Sequence, residues 1–321
     1  MYINMTKEYV VGVDIGGQTT KIGVVDKRGN IVAQTVINSK YGRNEENIFM
    51  DSVCETIKEL AKEVGLENVN GIGIGAPNGN FYTGEVVDAA NLEWAKGKAI
   101  PLAKTVSEKL GGIPVTLTND ANAAAVGEMY YGAAKGMKNF IMITLGTGVG
   151  SGIIINGELV YGHDGFAGEL GHVCAVRENG RSCGCGKSGC LEAYTSAIGV
   201  ARTAKERLAN SDEPSLLRGK EDITSKDVYD AAVQGDKLAL DIFDYTGRML
   251  GRSFADFVAF SAPQAIVLFG GLARAGEFIF KPIREEMEAN LISIWKGKVE
   301  LLPSALKESD AAILGASALA W

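Results

Sequence analysis

His172, Cys183, Cys185 and Cys190 place one imidazole and three thiols at gaps of 11, 2 and 5 within the stretch "GELGHVCAVRENGRSCGCGKSGCLEAY". Nitrogen and sulfur donors in a set of four suit a closed tetrahedral structural zinc, which keeps no open position for a reacting water. The C-x-C-x4-C spacing is tighter than that of common zinc fingers, and Cys174, two residues after His172, is a competing donor. Crowded cysteines in a chain that has five of them, an odd number, read as metal ligands before they read as disulfides. Cys54, inside an amphipathic helical pattern, reads as a small buried hydrophobe.

Two other stretches offer phosphate chemistry. "DIGGQTTK" holds Asp14, Gly16, Gly17, Gln18, Thr19, Thr20 and Lys21, a glycine-bearing turn able to aim several backbone N–H groups at one anion. "LGTGVGSG" repeats the device with Gly146, Thr147 and Gly148. Neither is a Walker A loop, and either alone is an ordinary hairpin turn. As a pair they read as two grips on one phosphate chain. "GGLARAG", with Gly270, Gly271 and Leu272 between a strand and a helix, suits a nucleotide or its phosphates, although a plain strand-to-helix turn looks the same.

In "LTNDANAAAVGE", Asn119 and Asp120 end a strand and start an Ala-rich helix. Both residue types are preferred helix caps, which needs no further function. An ionised Asp here can also take the proton of a hydroxyl as it attacks a phosphoryl group. Beside two phosphate turns, the general base is the reading adopted.

The elements that must hold these groups are legible as short β-branched runs bounded by Gly, Asn or Asp: 9–15, 21–25, 30–37, 71–76, 114–120, 140–146, 152–156 and 264–271. Helical patterns lie between them at 47–65, 121–133, 225–260 and 278–293, which predicts an α/β protein with helix-covered sheets. The hairpin running from Asp14 to Asp26 is echoed from Thr144 to Asn156, each followed by another short strand. Such an echo predicts two similar domains. A chain of 321 residues, 46% hydrophobic, has core enough for both. Its net charge of -7 and pI near 5.1 speak against a nucleic-acid surface. The opening "MYINMTKEYV" has no secretion-signal pattern and no apolar run is long enough to span a membrane, so a cytoplasmic location is expected.

"DIGGQTTK", "TNDANAAA", "LGTGVGSG" and above all "GELGH" with "CGCGKSGCLE" resemble the ROK family of bacterial sugar kinases and sugar-responsive repressors, over nearly the whole chain. The continuation "GCLEAYTSAIGVARTA" is most similar to the family's glucokinases. The resemblance implies an actin-like, hexokinase-type ATPase fold of the ribonuclease H-like kind, with two α/β domains around a cleft. The small domain would cover 1–118 with a returning C-terminal helix at about 308–321, and the large domain 119–307 with the zinc loop. By position, Asp120 would deprotonate the sugar 6-hydroxyl, and Asn119, Glu169, His172 and Glu192 would hydrogen-bond the sugar. Asn78 and Gly79 of "GAPNG" and Asn91 of "ANLEW" would line the sugar pocket. Asp14 and the two turns would position Mg²⁺ and the phosphates of ATP, with "GGLARAG" on the nucleotide side.

The implied activity is ATP-dependent phosphorylation of a hexose, glucose first. N-acetylmannosamine, fructose, mannose and β-glucosides are alternative substrates, and polyphosphate an alternative donor. A non-catalytic sugar-responsive regulator is the rival of another class. The family's repressors carry an N-terminal helix-turn-helix, for which the phosphate turn beginning at Asp14 leaves no room. A homodimer or homotetramer is the implied assembly, with zinc as a structural ion.

Overall fold

The computed structural model describes residues 7–321; most of the opening stretch "MYINMTKEYV" lies outside the described residues. The chain forms two compact units. One takes in the chain as far as Gly136 together with Leu159–Ala167 and Ala305–Trp321, and the other takes in Met137–Glu158 and Gly168–Ser304.

In the first unit, strands β1 (Tyr9–Ile15), β2 (Thr19–Asp26) and β3 (Ile31–Asn38) precede helix α1 (Glu46–Leu60) and strand β4 (Val69–Gly75). A small sheet of β5 (Gly79–Asn80), β6 (Glu85–Val87) and β7 (Ala99–Ile100) follows, then α2 (Leu102–Lys109), β8 (Val115–Thr118) and α3 (Asp120–Tyr131). The main sheet runs β3-β2-β1-β4-β8, antiparallel through the hairpins and parallel from β1 to β4 and β8. Val11, Val13, Ile22, Ile72 and Ile74 bury one core with Phe49 and Ile57 of α1, and Phe49 stacks on Trp94 at 4.6 Å.

The second unit repeats the order. Its strands are β9 (Phe140–Leu145), β10 (Val149–Ile155), β11 (Glu158–Leu159), β12 (Ala265–Phe269) and β13 (Glu300–Pro303), and its sheet runs β11-β10-β9-β12-β13. Again the hairpin is antiparallel and the later strands are parallel. The hairpin echo in the sequence is therefore the start of a repeated sheet. Between β11 and β12 lie α4 (Glu192–Thr195), α5 (Ala197–Ala209), α6 (Ser225–Val233) and α7 (Lys237–Ser261); α8 (Glu277–Asn290) follows β12.

The long helical pattern at 225–260 is two helices, not one. Gly235 takes φ +82° and ends α6, and Asp236 caps α7 by accepting the Ala239 N–H at 2.9 Å. Apolar periodicity runs through the break, whereas "GD" supplies a C-terminal glycine and an N-cap in succession.

The last helix, α9 (Glu308–Ala318), belongs to the first unit and lies on β1 and β4. A Cβ at Gly73 would stand 1.8 Å from the Ala316 carbonyl oxygen, and one at Gly12 2.2 Å from that of Ile313. The sheet is bare at these positions so that the helix backbone can touch it. Among the described residues, no helix is long and apolar enough to cross a membrane.

Candidate active site

The first unit brings its two acids together through strand register. Asp14 faces Gly75 across β1 and β4, and Gly75 faces Thr118 across β4 and β8. Asp14 and the Thr118-Asn119-Asp120 segment therefore leave the sheet at the carboxyl ends of two parallel strands, β1 and β8, that flank β4, the end at which open α/β sheets bind ligands. The cap and base readings of Asn119 and Asp120 are divided between the two residues. Asn119 is the N-cap of α3, its Oδ1 accepting the Ala121 N–H at 2.8 Å. Asp120 Oδ1 accepts the same N–H at 2.8 Å.

Both carboxyls are pushed up from the usual carboxylate range. Desolvation is the main cause at Asp14, the charge of Asp120 adds to it, Lys21 opposes it, and the result is about 6. Desolvation also raises Asp120, against the Ala121 N–H. The Asp120 side chain is nevertheless open to solvent, so dense surrounding protein and a wet face act on it together; the open face keeps it chemically accessible.

A carboxyl whose folded pKa exceeds its unfolded value destabilises the fold as pH rises through that interval. Asp14→Asn is therefore expected to melt a few degrees above wild type at pH 8, the gap closing as pH falls from 6 toward 4. Thermal scans across this range check it, and an unchanged or lower midpoint at pH 8 goes against the coupled-carboxyl reading.

The first glycine turn is tight, with the Gly16 N–H donating to Thr19 O at 3.0 Å. Gln18 and Thr19 are exposed at it, and Lys21 sits opposite Asp14 in register. Thr20 departs from the expected ligand role: it is fully buried and its hydroxyl pairs with Ser39 at 2.7 Å, so it secures the turn from inside. Exposed Asn91 backs the turn, its carbonyl 3.1 Å from where a Gly17 Cβ would be. Asn78 takes φ +52° and its Nδ2 donates to Val87 O at 3.0 Å and Asp88 O at 3.1 Å, which fixes the side-chain amide against the backbone. Gly79 is buried beside it in β5.

In the second unit, Glu192 at the start of α4 reaches the other glycine turn, its Oε2 accepting the Val149 N–H at 2.8 Å. A Cβ at Gly148 would lie 2.5 Å from that oxygen, so only glycine leaves room for the carboxylate. Gly146 and the exposed Thr147 complete the turn, and Ala197 N donates to Gly146 O at 2.9 Å.

The imidazole of His172 has two sides. Nδ1 lies 3.7 Å from Cys183 Sγ, and Nε2 lies 3.9 Å from Glu169 Oε2. The ligand atoms of His172, Cys183, Cys185 and Cys190 all fall within 4.8 Å of one another, with Cys185 and Cys190 sulfurs 3.6 Å apart. A tetrahedron with bonds of about 2.3 Å has edges of about 3.8 Å, so this donor set fits zinc in both chemistry and spacing. Cys174 stands outside the set, and Cys54 is in the core, where burial pushes its thiol up to about 11.

Gly270, Gly271 and Leu272 follow β12, and the Leu272 N–H donates to Leu145 O at 3.3 Å. Gly271 and Leu272 line a cavity of about 500 Å³ with Lys226, Tyr229, Phe243 and Arg274. That Tyr229 and Phe243 line this cavity was not legible, because in the sequence they are apolar positions of two helices. Arg181 was missed as well: its guanidinium donates to Ala193 O and Gly199 O and pairs with Glu206, fastening the cysteine loop to α4 and α5. Lys187 Nζ donates to His172 O at 2.8 Å, a second tie within the loop.

The family model described as the ROK family matches residues 10–321. The glucokinase of Halalkalibacterium halodurans is 38% identical over 290 residues, 89% of this chain and 87% of that one. The glucokinase of Thermotoga maritima is 35% identical over 320 residues, 98% of each chain. Among solved structures, a ROK family glucokinase from Streptomyces griseus in complex with glucose and AMPPNP superposes with a TM-score of 0.78 at 35% identity, covering 97% of this chain and 98% of that one.

Proposed function

We propose that this chain, which belongs to the ROK family and has its actin-like, hexokinase-type ATPase fold, transfers the γ-phosphoryl group of ATP to the 6-hydroxyl of a hexose, with glucose as the preferred substrate. The observation that carries the reading is the Asp120 carboxylate: at the first turn of a helix whose N-cap is Asn119, coupled to Asp14, and set at the strand ends of a chain matched over nearly its whole length by glucokinases.

In this reading Asp120 accepts the hydroxyl proton as the oxygen attacks phosphorus, and the rest of catalysis is placement and charge neutralisation. Asp14 would hold Mg²⁺, which when bound supplies positive charge to the phosphates; Lys21 adds a fixed cation beside it. In the two glycine turns the N–H groups of Gly16 and Gly146 are donated to Thr19 O and Gly148 O, and those of Gly17, Thr147 and Gly148 would be the ones offered to phosphate oxygens. The cavity beside Gly271 would take the adenine, with Tyr229 and Phe243 as its aromatic walls.

On the sugar side, Asn119, Glu169, His172 and Glu192 would hydrogen-bond hydroxyls, with Asn91 and Asn78 nearby in the chain's first unit. His172, Cys183, Cys185 and Cys190 would hold zinc, whose contribution is to fix the loop and the tautomer of His172. With Nδ1 on the sulfur side and given to zinc, Nε2 would carry the proton and donate.

ADP release measured across hexoses, hexosamines and β-glucosides tests the assignment. Glucose is expected to give the highest kcat/KM, and a higher value for N-acetylmannosamine or a β-glucoside would move the chain to another sugar kinase. ATP is expected to support turnover where polyphosphate does not.

A further inference from the structure

The zinc-type ligand set leaves one cysteine of its own loop unused. Cys174 is exposed, and its Sγ donates to Val176 O at 3.4 Å instead of joining the cluster. Its backbone nevertheless faces that of Cys190, a ligand in the set, across an isolated antiparallel bridge. The flanking hydrogen bonds run from Leu191 N to Val173 O at 3.0 Å and from Ala175 N to Gly189 O at 2.8 Å. Neither residue bonds to the other, so Cys174 and Cys190 form the narrow, non-hydrogen-bonded kind of antiparallel pair. In such a pair the Cα atoms stand about 4.5 Å apart with both side chains on one face of the ribbon. That separation lies inside the range of about 4.4–6.8 Å that a disulfide spans. Joining the two sulfurs needs rotation of side chains and no backbone shift.

We propose that Cys174 is a peroxide-reactive modification site whose oxidation ends in a Cys174–Cys190 disulfide, withdrawing Cys190 from the metal set. The exposed Cys174 thiolate attacks a peroxide oxygen; the O–O bond breaks, water leaves after protonation, and the sulfur becomes a sulfenic acid. The Cys190 sulfur then attacks that sulfur. The S–S bond forms, the S–O bond breaks, and the departing hydroxide is protonated to water. Two cysteines lose two electrons in total, and one peroxide is reduced to two waters. Cys190 is fully buried and out of reach of bulk oxidant, whereas Cys174 is exposed, which makes Cys174 the entry point.

The consequence reaches both ends of the loop. Cys174 lies two residues after His172, and Cys190 lies two before Glu192. Removing one of three sulfurs opens the set that orients His172, and releases the segment leading into Glu192. Only the resulting change in glucose KM rests on the sugar-kinase reading; the disulfide and the metal are read independently of it.

The test treats the zinc-loaded full chain and its Cys174→Ser variant with hydrogen peroxide, then follows zinc release with a chromogenic chelator and maps disulfides by peptide mass spectrometry. Wild type is expected to yield a Cys174–Cys190 cross-linked peptide, to release zinc in step with it, and to recover on adding dithiothreitol and zinc. Cys174→Ser is expected to form no such peptide and to keep its zinc over the same exposure. The proposal is overturned if wild-type disulfides join only Cys183, Cys185 and Cys190, if Cys174 is over-oxidised without cross-linking, or if the variant releases zinc as fast as wild type. The wild-type peptide map decides by itself should the variant prove unstable.

Discussion

Asp120→Asn is expected to bind glucose as wild type does and to lose about 10²–10⁴-fold in kcat, the usual worth of a positioned general base. The substitution is nearly isosteric, and the local fold does not depend on the charge. The cap of α3 comes from Asn119, and the oxygen at position 120 that accepts the Ala121 N–H is kept in an amide. What is lost is a group that can take a proton. Calorimetric titration of glucose against kcat from ADP release separates the two effects, and a variant that turns over near the wild-type rate would remove Asp120 from the chemistry. The same carboxyls set an acid limb on the wild-type enzyme. With Asp14 near 6 and Asp120 raised, activity is present above that range and is lost as pH falls through it.

Cys190→Ser is expected to have the second large effect, of a different kind. It removes a buried sulfur from a four-donor set, and with it the free energy by which a bound zinc would order the loop. The thermal midpoint should fall and bound zinc should drop below one per chain. Glucose KM should rise by about 10–100-fold, the worth of one or two charge-assisted hydrogen bonds, with a smaller change in kcat. His172 and Glu192 account for that split, since both sit on the loop and neither is the proton acceptor. Zinc analysis paired with steady-state kinetics checks it; full activity and unchanged KM in metal-free protein would show the loop to be self-supporting.

How far the sequence speaks depends on what each residue answers to. The clustering of four donors was readable because His172, Cys183, Cys185 and Cys190 are rare residue types at close spacing, and local chain geometry suffices to gather them. The repeated sheet was readable from two hairpins, since a strand-turn-strand pattern is also local. The coupling of Asp14 to Asp120 was not, because it arises from register across three strands, with Gly75 between them. Thr20 was misplaced for a related reason: alternation along β2 turns it inward onto Ser39, and the motif alone does not say which threonine of "QTTK" faces out. Likewise nothing in the sequence says that Tyr229 and the buried Phe243 border a cavity beside Gly271, since that cavity exists only once their helices are packed.

The helix laid on the bare glycines of β1 and β4 has a consequence for biosynthesis. The first unit is interrupted, and α9, with the Trp321 indole donating to the Tyr131 hydroxyl, reaches it only after residues 137–304 have been made. On the ribosome, the sheet around Gly12 and Gly73 therefore waits with an open face while the second unit is translated and becomes free to fold. A nascent chain of this design exposes apolar surface for most of its synthesis, the condition in which chaperones are engaged. Order of manufacture and order of completion are reversed: the half that emerges first is the half that closes last.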